Sequence, residues 1–251
     1  MKLLQDQVCV VTGGAGARSI GRATAIAFAE HGARVAVLDI DAAGAEAAAA
    51  SLPGSGHKGY ACDVTNRQQC FDVVAAAERA LGPIAAVVNA AGIAEPASFV
   101  DIASDRYDAM MDVNLRGTFH VCQAAARSMI ATRTGSIINI ASVAAQRGGG
   151  LFGGAHYAAA KGGVMSLTRV LARELGPRGV RANVICPSFV ETDIHGGKLS
   201  KEAQKQIIAS VPLGRAGQPQ DIAGVCLFLA SSLSAYVTGA VIDVNGGSHI
   251  H

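Results

Sequence analysis

The run QVCVVTGGAGARSIGRATAIAFAEHGARVAVLD (Gln7–Asp39) decides the fold. A short β-branched segment, 7–12, enters a glycine-rich turn. A stretch of helical character, 20–31, follows, and a second β-branched segment, 34–39, ends on an acid. Strand, glycine turn, helix and strand in this order form a βαβ unit, in which the two strands lie parallel. The turn stands where a helix N-terminus offers backbone N–H groups and a positive dipole end to a phosphate. Its glycines, Gly13, Gly14, Gly16 and Gly21, do not keep the G-x-G-x-x-G intervals. The rest of the chain has to say whether the turn holds a pyrophosphate.

The alternation continues to the end of the chain. Further β-branched segments occur at 85–90, 136–141, 181–186 and 240–244, with a weaker one at 57–63. Helical stretches fill 42–51, 66–81, 104–131 with a break, 157–175 and 219–230. Thr65 followed by Gln68 has the form of a capping box, and Pro219 suits a first helical position. The strands are almost continuously apolar, which fits burial on both faces. The expectation is one α/β domain spanning 1–251. It is a Rossmann-like, doubly wound parallel sheet of about seven strands with helices on both faces.

Composition narrows the function. Half of the 251 residues are hydrophobic and 16% are charged, so there is ample material for a core. Lysine and arginine exceed aspartate and glutamate by 21 − 19 = 2, and no basic block occurs, which argues against nucleic acid or an anionic membrane as partner. The six cysteines are scattered without a C-x-x-C pair and read as core residues of a protein in a reducing compartment. No metal site is expected. Neither a signal-peptide pattern nor an apolar run long enough for a membrane span is present, so the expected location is cytoplasmic.

Asp39 ends the second strand about 20 residues beyond the glycine turn, where a carboxylate can accept hydrogen bonds from ribose hydroxyls. Asp41 could equally start the next helix. A methyltransferase can carry the same glycine-plus-acid pair, so these features alone do not choose a chemistry. YAAAK (157–161) sets Tyr157 and Lys161 four residues apart on one helix face. An ammonium beside a phenol favours the phenolate, so the tyrosine pKa is expected to fall, and such a tyrosine can exchange a proton with an alcohol or carbonyl. Ser142, after the fifth strand, can donate to a substrate oxygen. Asn114, in DVNLRG, interrupts a helical stretch where its amide or a freed carbonyl could hold a water, unless it is a helix cap.

TGGAGARSIG, CDV (62–64), VNAAG (88–92), DVNLRG, IINIAS, YAAAK and CPSFVETDI (186–194) occur in the order found in the short-chain dehydrogenase/reductase family. With PLGRAGQPQDIAGVCLFLAS and YVTGAVIDVNGG the chain resembles that family from about residue 5 to 248. The resemblance implies an oxidoreductase using NAD, with NADP the less favoured dinucleotide. Tyr157 would be the acid/base, and Ser142 would polarise the substrate oxygen. Lys161 would bind ribose and lower the tyrosine pKa, and Asn114 would support a relay water. The implied cofactor-binding set is Gly13, Ser19, Ile20, Asp39, Ile40, Asp63, Val64, Asn89, Gly92, Tyr157, Lys161, Pro187, Val190 and Thr192. It also implies a homo-oligomer, a tetramer, paired partly through the helix that begins at Tyr157. The apolar 221–231 helix and 240–244 strand agree with that.

Three departures from the family pattern stand out. The glycine loop is about two residues longer than T-G-x-x-x-G-x-G and ends in Ser-Ile, as in the enoyl reductase branch. That branch, however, separates its tyrosine and lysine more widely. Ser142 and Tyr157 lie 157 − 142 = 15 residues apart, with RGGGLFGG between them. Ser188 stands where glycine normally follows the proline. The expected substrate lining, 94–99, 144–156 and 189–199, includes Gln146, His156, Glu191 and His195, which suits a polyol, sugar or hydroxy acid. Reduction of a 3-oxoacyl thioester is the alternative, and an NAD-binding regulator without turnover is the non-enzymatic one. Arg18 in the lengthened loop could pair with a phosphate or face solvent.

Overall fold

The computed structural model describes residues 2–149, 153–195 and 200–250, without the side chains of His195 and Lys201. One seven-stranded, wholly parallel sheet carries the chain in the order β3-β2-β1-β4-β5-β6-β7. The strands are β1 (Val8–Thr12), β2 (Arg34–Asp39), β3 (Lys58–Ala61), β4 (Ile84–Asn89), β5 (Gly135–Ile140), β6 (Val180–Pro187) and β7 (Val241–Val244). Helices α1 (Ile20–Glu30), α2 (Ala42–Ala50), α3 (Arg67–Leu81), α4 (Ser104–Met111), α5 (Gly117–Thr132), α6 (Val143–Arg147), α7 (Ala155–Leu175), α8 (Lys201–Ala209) and α9 (Pro219–Ala230) connect them. Each strand alternates its side chains between two apolar layers. Cys9, Val11, Val35 and Val37 face α1, α2 and α9, while Val8, Val10, Ala36 and Leu38 face α3 and α5.

Strand order reverses between β1 and β4, and ligands bind such sheets outside the carboxyl ends at this point. Thr12 holds the two strand ends together. Its hydroxyl oxygen accepts from the backbone N–H groups of Ala90 and Ala91, each at 3.0 Å. Gly13 then turns with φ +70°, and a Cβ there would stand 2.8 Å from the Ala91 backbone. At Gly21 a Cβ would strike the Gly13 carbonyl, so α1 starts hard against the loop. These two glycines are required by geometry; the others only lengthen the path.

Several sequence expectations change in detail. The N-cap of α3 is Asn66, which accepts from Gln69 N, rather than Thr65, whose hydroxyl donates to Asp63 Oδ1. Asp41 caps α2, which leaves Asp39 free of that duty. Helix α7 begins two residues before Tyr157. The 143–147 and 201–209 helices were not anticipated; each is short and starts from a serine cap, Ser142 and Ser200. Pro219 opens α9 as expected, within a capping box of Gln218 and Asp221. Ser188 has no left-handed backbone, so the missing glycine strains nothing there.

Asn89 is corrected in role. Its amide does not face the crevice: it is buried and donates to Asn139 Oδ1 at 2.8 Å and to Cys122 Sγ. Asn139 in turn donates to Thr168 Oγ1 at 2.9 Å, and Thr168 to Val164 O at 2.7 Å. This chain of buried polar groups ties β4 and β5 to α7. Replacing Asn139 by alanine leaves the Asn89 and Thr168 groups without this partner in a dry interior. Unfolding in urea is expected to show a loss of about 2–4 kcal/mol; a change below about 0.5 kcal/mol would mean that the chain does not brace α7.

Candidate active site

A continuous groove runs along the carboxyl ends of β1, β2, β4, β5 and β6. Gly13, Ser19, Asp39, Ile40, Asp63 and Val64 line one half, and Ser142, Tyr157, Lys161, Pro187 and Val190 the other; Ile20, Gly92 and Thr192 border both. Asn89 apart, every expected cofactor residue therefore lies on this groove.

The lengthened glycine loop keeps its helix start. Ser19 caps α1, accepting from Arg22 N and donating to Gly13 O, both at 3.0 Å. Its hydroxyl thus fixes the loop. Asp39 accepts from Ala15 N at 2.9 Å and from Asp41 N at 3.2 Å, one bond to each oxygen. The carboxylate keeps further lone pairs toward the groove. Arg18 faces solvent, one of the two anticipated courses, and pairs there with an exposed acid. Its guanidinium makes two hydrogen bonds to Asp193 Oδ1, at 3.0 and 2.7 Å, and its carbonyl accepts from Asp193 N. The loop is strapped to the segment after β6.

The four catalytic candidates converge. Ser142 follows β5 and caps α6, and its hydroxyl acts to lower the pKa of Tyr157. Tyr157 and Lys161 come from the first turns of α7 and are both buried. Lys161 Nζ donates to Ile140 O at 2.8 Å and lies 5.9 Å from the Tyr157 ring centre. Asn114 sits in a π-helical turn, Asp112–Arg116, between α4 and α5, not at a cap. Such a turn inserts one residue and commonly marks a functional position. The Asn114 amide nitrogen donates to Ile93 O and Met110 O, and its carbonyl accepts from the Thr118 hydroxyl, so no freed carbonyl remains. Its Oδ1 is buried without a partner among the described residues. A Cβ on Gly92 would stand 2.7 Å from that oxygen and 3.5 Å from Lys161 Nζ. An orphaned acceptor and an ammonium on either side of a bare glycine form a polar cradle.

A sequence model of the family described as enoyl-(acyl carrier protein) reductase matches residues 13–249. An uncharacterized short-chain type dehydrogenase/reductase of Sinorhizobium fredii is 47% identical, the alignment covering 99% of this chain and all of the relative. The chain belongs to the short-chain dehydrogenase/reductase family. The 3-oxoacyl-(acyl-carrier-protein) reductase of Thermotoga maritima is 40% identical over 97% of this chain and 98% of its own. The crystal structure of gox2181 superposes with a TM-score of 0.92 at 35% identity, covering 98% of this chain and 96% of that one. The protein is therefore an oxidoreductase of CH–OH groups that uses a nicotinamide cofactor.

The residues fit that cofactor. The start of α1 and the close-packed Gly13 would hold its phosphates, and the Gly92–Asn114–Lys161 cradle offers a donor and an acceptor. Electrostatics differ from the sequence expectation. Burial raises the Tyr157 pKa, with the Ser142 hydrogen bond opposing it, and burial lowers that of Lys161 to about 8. Desolvation of both groups outweighs their mutual attraction, because Lys161 directs its ammonium at Ile140 O and not at the phenol.

The expected substrate lining is partly wrong. Gln146 donates to Asp243, Glu191 accepts from Gln218, and His156 is buried outside the groove with neither ring nitrogen partnered. The side chain of His195 lies outside the described residues. In their place stand Ile207 and Ser210 at the end of α8, and Ser248. The amphipathic spacing of 201–209 is the signal that could have found the first two.

The Lys161 shift has a sign that can be tested. The unfolded chain binds its proton up to the ordinary lysine pKa of 10.5, the folded chain only up to about 8. The cost of the buried charge is thus present in full below pH 8 and is relieved between pH 8 and 10.5. Relative to Lys161→Met, wild-type stability should rise by about 1 kcal/mol per pH unit through that window. A constant difference in urea unfolding from pH 7.5 to 10 would show that Lys161 is not desolvated.

Proposed function

We propose that the protein is an NAD(H)-dependent oxidoreductase that interconverts a secondary alcohol and a ketone on a polyol, sugar or hydroxy acid. The meeting of Ser142, Tyr157 and Lys161 on one groove, with Asn114 Oδ1 buried behind Gly92, carries this reading. The nicotinamide, when bound, accepts or supplies the hydride. Ser142 and Tyr157 hold the substrate oxygen, and Tyr157 removes its proton on oxidation or returns it on reduction. Lys161 binds ribose, and Asn114 Oδ1 accepts from a water that passes the proton onward. A regulator without turnover needs none of this set, and a methyltransferase leaves Tyr157 and Lys161 unexplained. Reduction of a 3-oxoacyl thioester is the second reading, favoured by the Thermotoga maritima relative. The six free cysteines, all buried, suit the cytoplasm.

Tyr157→Phe should bind cofactor almost normally yet turn over at least about a hundredfold more slowly, whereas Lys161→Ala loses both. Near-normal turnover of Tyr157→Phe on the true substrate would remove it as acid/base.

NAD is preferred because Asp39 stands at the ribose side. Against a 2′-phosphate about 4 Å away, at an effective dielectric near 20, a unit charge pair costs about 4 kcal/mol before solvent relaxation. Arg18 is exposed and paired with Asp193, so a 2′-phosphate would have to draw it from that partner while Asp39 keeps the ribose side. The ratio of kcat/KM should favour NAD about tenfold to a thousandfold, and Asp39→Ala should narrow it chiefly by losing NAD. Equal ratios would place Asp39 away from the ribose.

The tetramer is proposed on exposed apolar side chains in two places. Phe119 and Val170 lie on α5 and α7, and Leu233 and Tyr236 lie between α9 and β7. A light-scattering mass of one chain at micromolar concentration would overturn it.

A further inference from the structure

The substrate half of the groove has a charge bias that the catalytic set does not use. Among the described residues that line it there is no carboxylate, and there are two cations, Lys161 and Arg147. Lys161 is buried and spends its ammonium on Ile140 O. Arg147 is the last residue of α6, exposed at the mouth, and its side chain has no ion pair or hydrogen bond among the described residues. Two carboxylates on adjoining segments are occupied. Glu95, whose carbonyl accepts from Gly154 N, gives its carboxylate to Arg106, and Asp243 accepts from the neighbouring Gln146. From Ser142 to Tyr157 the sequence holds no acidic residue at all. Gly148 and Gly149 follow with φ +82° and +101°, and a Cβ on Gly148 would meet nothing within 4 Å. Among the described residues, nothing fills the space beside Gly148, and Arg147 lines the groove there.

We propose that Arg147 is a specificity-determining residue that binds the carboxylate of a short aliphatic hydroxy acid or oxo acid. This rests on the secondary-alcohol reading above and chooses within it. A guanidinium is charged at every working pH and matches a carboxylate with two parallel hydrogen bonds. Helix α6 rises about 7.5 Å from its Ser142 cap to Arg147, at 1.5 Å per residue. With the substrate oxygen at Ser142 and Tyr157, the carboxylate therefore lies a few bonds from the reacting carbon. Val143, Ala144, Phe189 and Ile207 line the interval with apolar surface, which suits a short hydrocarbon chain, and Ser188, Ser210 and Ser248 border it with hydroxyls. The absence of lining carboxylates disfavours amines and other cations.

The test is a titration calorimetry series on the full chain with oxidised dinucleotide present. Its ligands are 2-, 3- and 4-hydroxypentanoate and the three matching amides, and turnover is followed in parallel. At least one acid should bind the wild type about tenfold more tightly than its amide. Arg147→Gln should abolish that preference, and Arg147→Lys should keep part of it. The proposal is overturned if no acid outbinds its amide, or if the preference survives in Arg147→Gln. It is also overturned if the substitution weakens binding only of a phosphate-bearing 3-oxoacyl pantetheine thioester, since Arg147 would then meet a carrier phosphate. Arg147-dependent binding of an acid that is never oxidised would uphold the carboxylate site and count against the proposed reaction instead.

Discussion

Two hydrogen bonds to one hydroxyl, Ala90 N–H and Ala91 N–H onto Thr12 Oγ1, hold the place on which this molecule depends. Where the strand order reverses, β1 and β4 must diverge above the sheet, and their backbone N–H groups lose the partners a continuing ladder would give. Thr12 supplies an acceptor for two of them. The splayed ends then open a crevice, and Gly13 and Gly21 let α1 close on its floor. Had the two loops paired or collapsed together, neither the α1 cap nor the Gly92 cradle would face a common space. A threonine hydroxyl and two absent Cβ atoms thus shape the cofactor half of the groove.

The catalytic half is fixed by a different means. Buried amides run from Asn89 through Asn139 to Thr168, beneath the helix that carries Tyr157 and Lys161. Hydrogen bonds of this kind add little net stability, but each costs dearly if left unmade, so they allow few alternative packings of α7 against β5. Lys161 then finds Ile140 O from the same strand. The cost of this order appears as the lowered Lys161 pKa, an ammonium held in a place that disfavours charge. A positively charged nicotinamide ring would oppose the raised Tyr157 pKa, so the tyrosine is tuned by its ligand as well as by its neighbours.

The sheet was legible because parallel strands buried on both faces are written as β-branched runs, and such runs survive in any context. That Ser142, Tyr157 and Lys161 meet near Asn114 was legible through order and spacing, although YAAAK alone is a common surface pair. Three things were not. Asn89 looked like a cofactor contact because position along the chain does not say to which face a strand-end side chain turns. His156, Gln146 and Glu191 looked like lining because a helix start and a loop give no periodicity from which to read direction. The tyrosine pKa was expected to fall because a sequence shows the nearby charge and hides the desolvation that opposes it.

These failures share a location. The strands could be read, and the misplaced lining residues belong to segments carried on the outer side of the groove: α6 with the residues before α7, and the stretch from β6 to α8. Those segments are held to the frame partly by side-chain bonds near the surface, such as Arg18 to Asp193, Gln146 to Asp243 and Glu191 to Gln218. A bond between two exposed or half-exposed side chains contributes about 1 kcal/mol or less, so such contacts can be exchanged at small cost to the fold. The Ser142–Tyr157–Lys161 set cannot be exchanged in that way, since it is buried and braced from below. One reaction can therefore persist while the substrate changes, because the chemistry is fixed by the interior and the choice of molecule by side chains such as Arg147, which nothing in the interior requires.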